Sequence, residues 1–219
     1  MEVKPPHQLI GNKKAYVDLG VKVPIMAWIP KERIFGYRAN SMLSDWRYWN
    51  HRIAKHQAIL KEVNKKHTSK QLSKLYRKRQ RRFRSKINWI VKDFVDTCWL
   101  KGVSEIICGD LRNIRDSAKF NKKANSMVHN FGSIGYIIKR LTEKSKLYGI
   151  KVTPVDEKGT SSICPRCHSK HLMKRKRLFK CLDCKLEAHR NAVGSINTRL
   201  AQGESFAGAI NRVDTPFVN

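Results

Sequence analysis

In KAYVDLGVKVPIMAWI, residues 14 to 29, Val, Ile and aromatic side chains crowd two short runs broken at Leu19 and Gly20. That pattern predicts two strands joined by a tight turn, with Asp18 at the end of the first. A third short strand from about Arg33 to Tyr37, between the breakers Pro30 and Asn40, would complete an antiparallel meander. From Asn40 to about Leu100 the period lengthens, with Trp46, Trp49, Ile53, His56, Leu60 and Val63 recurring at spacings of three and four. A pair of long helices is the simplest solution, and Leu72, Leu75, Tyr76, Arg79 and Phe83 carry a stripe through the second. VSEIICGDL then predicts a buried strand from Val103 to Cys108 that ends in Gly109 and Asp110. A helix from about Asn121 to Tyr148 has Phe131, Ile134, Ile138 and Leu141 in phase. After Gly149, IKVTPV predicts another buried strand, ending at Asp156 and Glu157.

Three meander strands, helices, a strand, a helix and a further strand form the layout of an α/β, RNase H-like mixed sheet with a long helical insertion at about 40–101. Order alone admits other α/β folds. A chain of 219 residues can bury one main core plus a small satellite.

Charge narrows the partners. Lys and Arg number 46 against 17 Asp and Glu, a formal net charge of +29 that would repel itself unless a polyanion neutralised it. Nucleic acid fits that requirement, as ribosomal and chromatin proteins illustrate. A membrane surface would also attract such charge, but no apolar run of about 18 residues and no signal peptide occurs, so a soluble, intracellular protein is expected. Residues 65 to 86 hold eleven Lys or Arg and no acid while keeping the apolar stripe. The expectation is a helix with one packed face and one phosphate-tracking face, bearing Lys74, Arg77, Lys78, Arg81, Arg82 and Arg84, rather than a merely solvated charged face.

Cys164 and Cys167 in CPRC, then Cys181 and Cys184 in CLDC, are separated by thirteen residues. In a basic, intracellular-looking chain these read as metal ligands before disulfides, and four thiolates at this spacing can close a tetrahedral zinc ribbon. An iron centre and a redox dithiol are the alternatives. His168 and His171 are nearby spare ligands, expected to face solvent, and Lys174 and Arg175 make the intervening hairpin a second nucleic-acid candidate. Cys98 and Cys108 sit in apolar runs and read as inert buried thiols.

A nuclease of RNase H-like architecture needs carboxylates from separate elements converging on Mg²⁺ or Mn²⁺. Asp18, Asp110, Asp156 and Glu157 each fall at or near a predicted strand end. A lone acid there is more often a cap or turn residue, but several in so acid-poor a chain are suggestive.

AYVDLGVK, IICGDLRNIR, GIKVTPVDEKGTSSICPRC and CLDCKLEAHRNAVGSIN occur in the order found in transposon-encoded TnpB (OrfB-type) proteins, and the sequence resembles that family over nearly its whole length. The family is related to type V CRISPR effectors. The resemblance implies a RuvC-like nuclease domain with an inserted zinc ribbon, a guide RNA, a DNA target and divalent-metal cleavage in a prokaryotic, nucleoid-associated setting. It divides the chain into a RuvC-like core at 1–158, a ribbon at 159–187, and a last helix with its tail at 188–219. Asp18 matches the first catalytic acid. The usual E-D-L motif reads GDL here, so Glu157 is the first choice for the second acid and Asp110 the second choice.

The last motif usually reads R-D, but this chain has Arg190 and Asn191. An amide keeps the size of a carboxylate and loses its charge, so metal affinity and turnover should fall. Introduced inactivation, a natural variant that only binds DNA, and compensation by His189 or Glu187 would each accommodate it, and Asn191 could also serve as a helix N-cap. Family members ordinarily carry a long RNA-gripping portion before the first acid, whereas Asp18 is preceded by seventeen residues. The resemblance therefore implies a C-terminal half whose N-terminal part or companion chain is absent. A nuclease-dead repressor or scaffold that binds nucleic acid is the alternative function, and a ribosome- or RNA-associated basic zinc protein is a third.

Overall fold

The computed structural model describes residues 6–64, 67–109, 134–156, 162–203 and 217–218. The chain divides into two compact units, residues 39–90 and the remainder.

The larger unit is built on a six-stranded sheet. Strands β1 (Lys13–Leu19), β2 (Ile25–Trp28) and β3 (Phe35–Tyr37) form the expected antiparallel meander. β4 (Val103–Gly109) pairs parallel with β1, and β5 (Lys151–Val155) pairs parallel with β4. Two residues near the C-terminus, β9 (Phe217–Val218), add a parallel strand beside β3 that the sequence reading did not anticipate. The order is therefore β5-β4-β1-β2-β3-β9.

Central position explains the composition of β1 and β4. Ala15, Tyr16, Val17, Ile106, Ile107 and Cys108 are all at most 1% exposed, as a strand covered on both faces requires. β5 departs from the expectation of a buried strand: it lies at the sheet edge, and only Val155 of its five residues is buried. An edge strand has a neighbour on one side alone, so a continuous apolar run is not needed there.

Helix α3 (Ile134–Lys146) buries Ile137, Ile138 and Leu141. Its expected beginning near Asn121, with Phe131, lies outside the described residues. Gly149, with φ 68°, supplies the left-handed residue that turns the chain from α3 into β5. A last helix, α4 (Arg190–Asn197), places Ala192 and Ile196 against Val23, Met26 and Ile34. Tyr37 donates its hydroxyl proton to Asp93 at 2.7 Å and meets Phe94 edge-on, which fixes β3 against the chain after residue 90.

A smaller three-stranded antiparallel sheet lies between β5 and α4: β6 (Leu172–Arg175), β7 (Leu178–Cys181) and β8 (Glu187–His189). The sequence predicted its hairpin; β8, which runs directly into α4, was not foreseen.

The smaller unit holds α1 (Asn40–Asn64) and the first part of α2 (Lys70–Leu100). Ser69 caps α2 by accepting the Leu72 amide at 3.0 Å. Ile53, Leu60 and Leu72 form one apolar cluster, and Trp46 meets Phe83 edge-on at 5.7 Å. Val63 breaks the expected stripe, being 72% exposed one turn beyond Leu60 near the helix end. Arg79 replaces an apolar residue in the α2 stripe by laying its guanidinium over Trp46 at 4.1 Å and Tyr76 at 5.0 Å.

Candidate functional site

The four ribbon cysteines come together. Their sulfur atoms all lie within 4.8 Å of one another, with Cys164–Cys184 at 3.6 Å and Cys167–Cys181 at 3.5 Å. All four are free thiols. A tetrahedron of thiolates about 2.3 Å from a zinc ion has edges of about 3.8 Å, so the spacing and chemistry of this donor set fit zinc.

Both knuckles are shaped alike. The residue after each pair, His168 and Lys185, has φ 58°, turning the backbone back towards the sulfurs. Backbone amides of Cys164 and Cys181 donate to Ser169 and Leu186 across the knuckles. Burial first of all pushes the Cys164 thiol up to about 12. For Cys181 burial acts in the same direction, but hydrogen bonds from the amides of Cys184 and Asp183, together with those to the sulfurs of Cys167 and Cys184, outweigh it and bring the thiol down to about 7. His171 pairs with Asp183 at 3.3 Å, and neither it nor His168 joins the sulfur cluster. Phe179, Leu186 and Ala188 form the ribbon's apolar base together with Val193 of α4.

A second constellation gathers at one edge of the large sheet. Val17 of β1 is in register with Cys108 of β4, and Gly109 with Val155 of β5. The parallel strands β1, β4 and β5 thus end side by side, with Asp18 at the first end and Asp156 following the last. In open α/β sheets such carboxyl ends are where ligands bind. Asp110 and Glu157 follow β4 and β5 in sequence but lie outside the described residues.

Helix α4 brings Asn191 to this edge through two glycines. A Cβ at Gly194 would stand 3.0 Å from the Asp18 carboxyl carbon and 3.1 Å from its Oδ2. A Cβ at Gly20 would stand 3.3 Å from the Asn191 side-chain nitrogen. Gly194 is one helical turn after Asn191, and Gly20 is two residues after Asp18. Each polar side chain is therefore received where the opposite element has none.

Asn191 is not the helix cap. His189 occupies that position, and its Nδ1 accepts the Asn191 amide at 3.3 Å. The side-chain oxygen of Asn191 accepts a hydrogen bond from Nη1 of Arg177 at 3.0 Å, and the Arg190 amide donates to the Arg177 carbonyl at 2.8 Å. The ribbon hairpin is thus fastened to the start of α4. Burial, then the charges of Arg177 and Arg38, hold His189 below the ordinary imidazole range. Glu187 pairs with Lys180 across the ribbon at 2.6 Å, so that carboxylate is engaged away from Asn191.

Among the described residues this edge offers divalent metal two carboxylates, Asp18 and, two strands away after β5, Asp156, with one amide oxygen already engaged by a guanidinium. The amide at 191 weakens that set for Mg²⁺, a hard cation that favours carboxylates. Sequence reasoning counted Arg177 only among the basic residues of the ribbon hairpin and missed Gly20 and Gly194. Only the three-residue spacing from Asn191 to Gly194, which places both on one helical face, was available as a signal.

Of the expected nucleic-acid residues, Lys74, Arg77, Lys78, Arg81 and Arg84 are exposed on α2, as are Lys174 and Arg175 on β6. Arg82 is also exposed, but its Nε donates to both carboxylate oxygens of Asp45, at 3.0 and 2.9 Å.

Comparison with known proteins supplies the lineage. The family model OrfB_IS605, described as a probable transposase, matches residues 1–115, more than half of the chain. The chain belongs to this TnpB-type family. A second model, the Cas12f1-like TNB domain, matches residues 135–198. A TnpB-like protein of Methanocaldococcus jannaschii is 30% identical over 149 residues, covering 65% of this chain and 52% of that protein. The family member described here thus spans about half the length of that relative. A Cas12f1 chain solved with sgRNA and target DNA has a TM-score of 0.63 at 19% identity, over 90% of this chain and 51% of that one. The mini-RNA-guided endonuclease CRISPR-Cas_phi3 gives 0.53 at 14% identity, over 94% and 46%. These likenesses fix the fold as RuvC-like: a mixed RNase H-like sheet with a long helical insertion and an inserted cysteine ribbon.

Proposed function

We propose that this chain is the RuvC-like nuclease domain of a TnpB-like, RNA-guided DNA endonuclease in which cleavage is weakened by Asn191. Zinc in the four-cysteine ribbon is its structural cofactor, and DNA with a guide RNA its partners. The observation that carries the reading is the meeting of Asp18 with the Asn191–Gly194 turn of α4 at the ends of β1, β4 and β5. A carboxylate and the residue one turn from its contact are brought together across 173 residues of sequence at the edge where such a sheet binds ligands. Asp110 and Glu157 are the remaining acids assigned to the centre, and Mg²⁺ or Mn²⁺ the ion an intact set would hold.

The test compares the full chain with Asn191→Asp on single-stranded DNA, with Mg²⁺ or Mn²⁺. Cutting that is slow in the parent and recovers in the variant is the expected result. A second reading, a nuclease-dead repressor or scaffold, is favoured by the guanidinium of Arg177 on the Asn191 oxygen. No cutting by either protein, together with tight, salt-sensitive binding, would establish that reading instead. Sequencing the RNA that copurifies covers the remaining alternative, since ribosomal RNA there would overturn a guide-RNA assignment.

A further inference from the structure

We infer that Arg177 and Arg38, beside Asn191, form a metal-independent site for a backbone phosphate of a single nucleic-acid strand. The inference rests on the nucleic-acid reading above and extends it from the surface of α2 to the cleavage edge itself.

Three observations place the cations there. Arg177 reaches Asn191 from the ribbon hairpin at 3.0 Å and is itself exposed, so its remaining donors can meet a ligand. Arg38 follows Tyr37, the last residue of β3, which is in register with Ile25; Ile25 in turn pairs with Leu19. β3 therefore ends at the same sheet edge as β1, and Arg38, also exposed, stands at the edge that carries Asp18. Both guanidinium groups bear on His189, the residue that caps α4. Arg190 and Lys174, whose charges also act on one another, extend the patch along the start of the helix.

The chemistry follows from the residue at 191. A carboxylate in that position, 3.0 Å from Arg177, would neutralise the guanidinium as an ion pair. An amide accepts the same hydrogen bond and leaves the positive charge uncompensated. Asp18 and Asp156 supply two negative charges against Arg177, Arg38, Arg190 and Lys174, so the described groups favour an anion over a second cation. Arginine presents a planar fork suited to phosphate oxygens, and release of counterions makes each such contact salt-dependent. Asn191 thus converts an edge built for metal into one that grips phosphate directly.

Fluorescence anisotropy of a labelled 20-nucleotide DNA strand on the full, zinc-loaded chain, in buffer without Mg²⁺, tests this. Losing one phosphate contact lowers the salt slope by about 0.7 and, extrapolated from 1 M salt, the affinity at 50 mM by about eightfold. Arg177→Ala and Asn191→Asp should each show that loss, and their combination should show little more, because both remove the same uncompensated charge. Arg177→Lys, which keeps the charge, should hold most of the slope. Added Mg²⁺ should tighten binding by Asn191→Asp and leave the parent unmoved or weaker. A matched RNA strand in a parallel arm shows which nucleic acid supplies the phosphate. Parental affinity and slope in both Arg177→Ala and Asn191→Asp would overturn the site while leaving general nucleic-acid binding intact. Absence of any parental binding at 50 mM salt would overturn both.

Discussion

Gly194→Ala tests whether Asp18 and α4 are in direct contact, independently of any assumption about catalysis. In an ordinary helix the change stabilises by about 1 kcal/mol, because alanine loses less conformational freedom than glycine. Here the new methyl group would stand 3.0 Å from the Asp18 carboxyl carbon and 3.1 Å from its Oδ2, closer than carbon and oxygen normally pack. Gly194 is buried and Asp18 half-buried, so relief requires moving a strand end or a helix; overpacking of this kind costs about 1–3 kcal/mol. The expected net effect is destabilisation of about 1 kcal/mol. Removing the carboxylate should reverse the sign, because the Asp18 Cβ is 3.4 Å from the new methyl, an ordinary contact. In an Asp18→Ala background, Gly194→Ala should therefore stabilise by up to about 1 kcal/mol. Urea unfolding of the four proteins in zinc-containing buffer measures the coupling, expected at about 1–2 kcal/mol. Equal effects of Gly194→Ala in both backgrounds would refute the contact, and with it the meeting of β1 and α4.

Three further outcomes follow from the same structure. Cys181→Ser should release zinc from the purified protein, and one retained equivalent by metal analysis would contradict a four-thiolate site. Replacing Arg77, Arg81 and Arg84 with Gln should lower the salt slope for single-stranded DNA by about 2, at about 0.7 per phosphate contact, and an unchanged slope would assign that face of α2 to solvent alone. His189, held below its ordinary pKa by burial and then by Arg177 and Arg38, accepts the Asn191 amide only as a neutral ring. Its contribution is therefore complete above the ordinary histidine value of about 6.5 and lost as pH falls through the lowered folded value. Urea midpoints of the parent and His189→Ala, compared at pH 7.5 and 5.0, should converge on acidification; a constant difference would separate the cap from titration.

The local elements were legible from the pattern of side chains. Alternation and β-branched runs marked β1 to β4, periods of three and four marked α1 and α2, and two C-x-x-C pairs marked the ribbon, because each depends on neighbours close in sequence. β5 read as buried since its apolar run is local information, whereas its edge position is decided by which strands pair beside it. β8 and β9, only three and two residues long, carry too few positions for any period to show. The substitution of an amide for an acid at 191 was plain from the chain, yet what that amide meets was not. Arg177 lies fourteen residues earlier in the turn of the ribbon hairpin, Arg38 follows the end of a different strand, and Gly20 and Gly194 matter through atoms they lack. Sequence determined which groups the protein has and how each segment curls. Tertiary structure alone decided which of them share a few ångströms, because the close approach of β1, α4 and the ribbon depends on pairing and packing between residues far apart along the chain.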